Sequence, residues 1–186
     1  MNRKEKVFKV ENINDFKDKL LFFSKSKENV ILLDSNSKKN DYEFIFSYGK
    51  ISELKSFDNS LDKLDNYIKQ VDDWIFGFIS YDLKEEIEGF NSNNLKYFDV
   101  PNLSFFQPSI IWVFDGFKLK ALYFDEKELF DVWNEINKIH ISCDSIESNP
   151  NVELKCRLSK VEYIKKIKKI KKRIKMGDTH ELNFCF

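Results

Sequence analysis

Asp34 and Ser35 follow directly on the apolar run Val30-Ile31-Leu32-Leu33. A carboxylate beside a hydroxyl at the end of a strand can hold an ammonium group in a cleft. The same two side chains can instead bond their own backbone and close a plain turn. The residues alone leave both readings open, and they make Asp34 and Ser35 candidate ligand-binding residues.

Other groupings point to less. His140 and Cys143 stand three apart, with Cys156 further on, but a structural zinc site normally shows two close-spaced ligand pairs, so no metal ligand is assigned. Asp72-Asp73 and Glu85, Glu86 and Glu88 are acidic clusters. An acid–base pair needs two environments that push its pKa values apart, which exposed neighbours do not supply; these read as solvated helix ends. With five glycines there is no phosphate loop, and neither a His-Glu-x-x-His helix nor a Gly-x-Ser-x-Gly elbow occurs. No catalytic residue is assigned.

The run Lys165 to Lys175 is the densest charge. It would suit phosphates or anionic lipid, or it is a long helix whose stripe of Ile164, Ile167, Ile170 and Ile174 packs inward beneath lysine stems. The second reading is preferred, because no aromatic residues interleave the lysines as stacking platforms. Neither a nucleic-acid nor a membrane partner is expected.

Composition sets the frame for these residues. The chain has 186 residues, 19 of them Phe, and 31 basic against 31 acidic side chains, so it holds enough large apolar groups for a folded core. Residues 151–186 carry 11 Lys/Arg against 4 Asp/Glu, and residues 1–150 carry 20 against 27. The longest apolar runs, Trp74–Ile79 and Ile110–Phe114, fall far short of the roughly 20 residues of a membrane span. Three irregularly spaced cysteines with no secretory signal before them point to a reducing cytoplasm.

Strands are expected at Val7–Val10, Val30–Leu33, Glu43–Tyr48, Trp74–Tyr81, Leu103–Phe106, Ile110–Phe114 and Lys118–Phe124, with hairpin turns at Gly49-Lys50 and Asp115-Gly116. Val30–Leu33 reads as buried on both faces and Trp74–Tyr81 as central, with Gly77 marking a close approach of another backbone. Helical spacing appears from Asn14 to Ser24, from Ser60 to Val71 (Leu61, Leu64, Ile68 and Val71 inward), around Lys84–Ile87, and over Glu126–Ile139 (Leu129, Phe130, Trp133 and Ile136 inward). Ser159 and Glu162 form a capping box for a further helix that ends at Gly177, ahead of a last apolar strand. Short strands joined by hairpins imply an α+β fold with a largely antiparallel sheet and packed helices. The polar stretch Ile141–Asn151 with Pro150 reads as a linker, giving one domain over 1–145 and a second segment over 146–186.

Three segments together resemble the component I subunits of aminodeoxychorismate synthase and anthranilate synthase. Leu32-Leu33-Asp34-Ser35 is similar to the family's Leu-Leu-Glu-Ser segment; Gly77 to Asp82 is similar to its Gly-x-x-x-Tyr-Asp strand, with Pro101 and Phe105-Phe106-x-Pro108 following in order. Ser159-Lys160-x-Glu162-Tyr163-Ile164 and then Gly177-Asp178-Thr179-His180-Glu181-Leu182-Asn183-Phe184 resemble the opening of the family's chorismate-binding domain. His180 and Glu181 stand where the family has Tyr and Gln, and Asp34 where it has Glu. The form Asp34-Ser35-Asn36 is closer to the aminodeoxychorismate side.

The resemblance implies amination of chorismate with ammonia from a glutamine amidotransferase partner and with Mg²⁺ in the full-length enzyme. It also implies that residues 146–186 are a linker, the first helix and the first strand of a truncated chorismate-binding domain, whose catalytic carboxylates and lysine come after Phe186. This chain is then expected to bind no cofactor and to carry no catalytic residue. Leu33, Asp34 and Ser35 become candidate contacts for tryptophan or another amino-acid effector.

Overall fold

The computed structural model describes residues 2–36, 41–90, 98–141 and 156–184. The chain divides into two units, Met1–Ser142 and Cys143–Phe186. The expected loop at Asn91–Asn94, nearly all of the expected linker, Cys143, Cys185 and Phe186 lie outside the described residues.

The first unit is built in the order β1 (Lys4–Phe8), α1 (Ile13–Ser24), β2 (Val30–Asp34), β3 (Phe44–Tyr48), β4 (Ser52–Ser56), α2 (Ser60–Val71), β5 (Phe76–Ile79), a 3₁₀ turn (Tyr81–Leu83) running into α3 (Lys84–Glu88), β6 (Leu103–Gln107), β7 (Ile110–Phe114), β8 (Leu119–Tyr123) and α4 (Glu126–Asn137). It is α+β. Every strand pairing is antiparallel, in a five-stranded sheet ordered β1-β8-β7-β3-β2 and a three-stranded sheet ordered β4-β6-β5.

Strand periodicity explains the layers. Along β7, Ile110, Trp112 and Phe114 point to one face, where they join Phe16, Leu20 and Phe23 of α1 and Leu129, Val132 and Ile136 of α4. Ile111 and Val113 point to the other and meet Phe76 and Phe106 of the smaller sheet. Each large side chain buried here stabilises the fold by about 1.5–3 kcal/mol. Every residue of β7 is buried, so β7 is the doubly covered strand. The sequence had pointed to Val30–Leu33 instead, but β2 is an edge strand with Leu33 52% exposed. Apolar runs of similar length mark both, and only pairing order separates them.

The turn at Gly49-Lys50 is not a hairpin. β3 belongs to the large sheet and β4 to the small one, so the chain bends there from one sheet to the other. β6 and β7 make the same passage in reverse beside it: Ile51 N–H donates to Gln107 O (2.8 Å) and Ser109 N–H to Tyr48 O (3.0 Å). Gly49 adopts φ +75°, and a Cβ on it would lie 2.1 Å from Ser109 Oγ. Only glycine fits this corner. The Asp115-Gly116 turn does close a hairpin, β7 to β8, with Asp115 Oδ1 accepting from Phe117 and Lys118 N–H at 2.9 and 2.8 Å.

Other expectations shift by a residue or a face. α1 is capped by Asn12, whose Oδ1 accepts from Asn14 and Asp15 N–H, and begins at Ile13, one residue before the expected start. Asn59 precedes α2, and α2 buries Ser60 and Tyr67 while Leu61 and Ile68 stay about half exposed; the side that meets β4 is the one carrying Tyr67, whose hydroxyl lies 2.8 Å from Ser52 Oγ. On α4, Val132 is buried and Phe130 is 36% exposed. The strand over Trp74–Tyr81 shortens to β5 and lies at a sheet edge rather than the centre.

In the second unit α5 (Lys160–Lys175) carries the expected capping box: Glu162 N–H donates to Ser159 Oγ (3.3 Å) and Ser159 N–H to Glu162 Oε2 (2.9 Å). Gly177, at φ +81°, stops it, with Gly177 N–H donating to Ile174 O and Asp178 N–H to Arg173 O, the Schellman pattern. Residues 181–184 form no strand, since no neighbouring strand within the described residues of this unit offers them a ladder; Phe184 instead meets Tyr163, ring centroids 5.8 Å apart.

Candidate functional site

β2 and β3 run antiparallel with Asp34 opposite Phe44, and a cleft of about 540 Å³ lies at that end of the pair. Leu33, Asp34 and Ser35 form one wall; Asp41, Tyr42, Glu43, Phe44 and Ile45 complete it. The second wall had no signal in the local pattern around Asp34, because it is brought there by pairing.

Asp34 and Ser35 are already engaged by the chain. Ser35 donates to Glu43 O twice, from N–H at 2.9 Å and from Oγ at 3.0 Å. Asp34 Oδ1 accepts from Asn36 N–H at 2.9 Å, with Asn36 at φ +50°, the Asx turn weighed above. Asp34 Oδ2 is ion-paired with Lys17 Nζ from α1. The hydrogen bond from Lys17, followed by that from Asn36 N–H, holds the Asp34 carboxyl below the ordinary carboxylate range, against the smaller opposing pull of burial. Turn and ammonium grip thus occur together, and the ammonium is the protein's own. Nothing in the sequence around Lys17 marks it, since a lysine on the polar side of an amphipathic helix is commonplace.

The acidic clusters have structural partners. Asp72 ends α2 in the left-handed region. Asp73 is not a solvated helix end as expected: its side chain is 11% exposed and paired with Arg3 at 2.9 Å. Glu86 accepts from Ser60 N–H (2.8 Å), Ser60 Oγ (2.7 Å) and Asn102 Nδ2 (2.6 Å), placing a carboxylate on the first turn of α2, where orphan N–H groups and the helix dipole favour it. Glu86→Ala is expected to destabilise the unit by about 1 kcal/mol, as loss of a helix cap does, read as a lowered melting temperature; an unchanged melt would assign Glu86 no capping role.

Among the described residues no three His, Cys, Asp or Glu side chains gather where they could hold a metal ion. His140 and Cys156 lie in different units, and Cys156 is exposed. No described helix is long and apolar enough to cross a membrane.

Set beside known proteins, the chain matches no curated protein. The family described as chorismate binding enzyme matches it over residues 17–186.

Proposed function

From the premise that this chain belongs to the chorismate-binding enzymes, we propose that it is the amino-terminal portion of an aminodeoxychorismate synthase component I. The full-length enzyme would aminate chorismate to 4-amino-4-deoxychorismate on the route to 4-aminobenzoate and folate, in a reducing cytoplasm. Family membership over residues 17–186 is the observation that carries this reading; Asp34-Ser35-Asn36 favours the aminodeoxychorismate side over an anthranilate synthase component I of tryptophan biosynthesis. Magnesium and the glutamine amidotransferase partner belong to the proposal for the full-length enzyme.

A second reading, a non-catalytic module that binds an amino-acid effector or contacts a subunit, is favoured by the cleft bounded by Leu33, Asp34 and Ser35.

Purified chain supplied with chorismate, Mg²⁺ and ammonia should release neither 4-amino-4-deoxychorismate nor anthranilate by liquid chromatography; turnover would refute the assignment of catalysis to residues outside it. Disruption of the gene should create a requirement for 4-aminobenzoate. A requirement for tryptophan would transfer the assignment to anthranilate synthase, and no requirement would leave the effector module.

A further inference from the structure

We propose that the open end of the β1–β8–β7 ladder is a binding site for a small aromatic carboxylate, gripped by Lys9 and Lys118. It shares no lining residue with the Asp34 cleft, and it does not depend on which product the full-length enzyme makes.

Strand pairing builds the site. Phe8 stands opposite Leu119, and Leu119 opposite Phe114, so three strands finish on one row of large apolar side chains. A cavity of about 600 Å³ opens at that row, bounded also by Val10 and by Ile13 at the start of α1. Lys9 and Lys118 line it, each one residue past the Phe8–Leu119 pair, where an antiparallel ladder sets two residues face to face. Like charges so placed repel. Among the described residues neither ammonium has an ion-pair or hydrogen-bond partner. The ladder therefore ends on two uncompensated positive charges beside an apolar hollow.

An anion between the two lysines converts that repulsion into charge-assisted contacts. One wall is set before any ligand arrives, because Asp115 Oδ1 accepts from Phe117 and Lys118 N–H at 2.9 and 2.8 Å and fixes the hairpin tip. Phe117 lines the cavity and is 91% exposed, a large ring left in water that a flat ligand would cover. Glu11 is the third charged group of the lining. It repels a second carboxylate and can accept from an amino or hydroxyl group on the ligand. A planar apolar body with one carboxylate and one donor matches this mixture of apolar walls and few polar groups; 4-aminobenzoate is a simple member of that class.

Titration of the isotope-labelled full chain with 4-aminobenzoate, followed by NMR, tests this. The amides of Lys9, Val10, Phe117 and Lys118 should move together while those of Leu33, Asp34 and Ser35 stay in place. The neutral 4-aminobenzamide should bind about tenfold more weakly, and Lys9→Met and Lys118→Met should each weaken the carboxylate about fourfold, the scale of a solvent-facing ion pair. Neither variant should change the affinity for the amide. Wild-type spectra away from the site establish that each variant is folded, and the comparison of the two ligands on the wild type needs no variant. Equal affinity for carboxylate and amide overturns the anion site, and a loss below about twofold in both folded variants overturns the role of the lysines. Movement confined to the Asp34 cleft, or none up to the solubility of the ligand, overturns the site itself.

Discussion

Arg3→Ala lowers the stability of the first unit by about 2–3 kcal/mol, the scale of losing hydrogen bonds to a charged, part-buried group, as measured by urea denaturation at neutral pH. The Arg3 side chain is 7% exposed and Asp73 11%, so both charges are largely withdrawn from water. Arg3 Nε donates to both Asp73 oxygens at 2.9 and 3.0 Å, Nη2 to Pro108 O at 2.6 Å and Nη1 to Ser109 O at 3.2 Å. The guanidinium lies 4.4 Å from the centroid of Phe124. One planar fork thus ties the start of the chain to the segment before β5 and to the passage between β6 and β7. Lysine cannot donate in these directions at once, so Arg3→Lys should recover only part of the loss.

The pH dependence follows from Asp73. Burial pulls its carboxyl up, but hydrogen bonds from Arg3, from Gln107 Nε2 (2.8 Å) and from Trp74 N–H outweigh that and hold it below the ordinary carboxylate range. A group depressed on folding stabilises the fold fully above its unfolded value, about 3.9, and that stability is lost as pH falls through the folded value. In Arg3→Ala the bonds from Arg3 are gone, so less stability depends on the ionised carboxyl, and the deficit relative to the wild type should shrink as the pH falls below about 4. A neutral-pH loss under 1 kcal/mol would contradict the assigned role of the pair.

Gly77→Ala should cost about 3 kcal/mol, the upper part of the range for overpacking, and should open β5 before the rest of the unit. Gly77 sits opposite Phe105, and a Cβ there would lie 1.9 Å from Ser104 O and 2.7 Å from the Phe105 Cα. Both are backbone atoms, so no rotamer change relieves the clash, and β5 must move away from β6. Because β5 is an edge strand, it can separate without breaking a second ladder, at the expense of Phe76 in the core between the sheets. Hydrogen exchange should show faster exchange of the β5 amides bonded to β6 and unchanged protection along β7. Protection equal to wild type would remove the close approach as the reason for glycine.

Gly77 was readable in the sequence because glycine inside an apolar strand has few other uses. The Asp115-Gly116 hairpin and the Ser159–Glu162 capping box were readable for a similar reason: the residues that name the motif are also those that make it. Sheet membership was not. Gly49 has the same local chemistry whether the chain reverses into a hairpin or bends between sheets, and only the neighbouring passage at Ser109 decides which. Partners distant along the chain were equally hidden. Asp73 is 70 residues from Arg3, and Lys17 reaches Asp34 from another element, so the sequence showed two charges in each case and no pairing. In the candidate site, the Asp34 wall was legible from turn-forming residues after an apolar run, whereas the Tyr42–Ile45 wall arrives through β2–β3 pairing.

The outermost strand of the large sheet is also the first to be synthesised. β1 pairs only with β8, Lys4 against Tyr123 and Phe8 against Leu119, so on the ribosome it waits for more than a hundred further residues before its ladder partner emerges. At about 5–20 residues per second, that delay lasts several seconds, far longer than a hairpin such as β7–β8 needs to form. The nascent unit can assemble its middle first and close β1 onto β8 last.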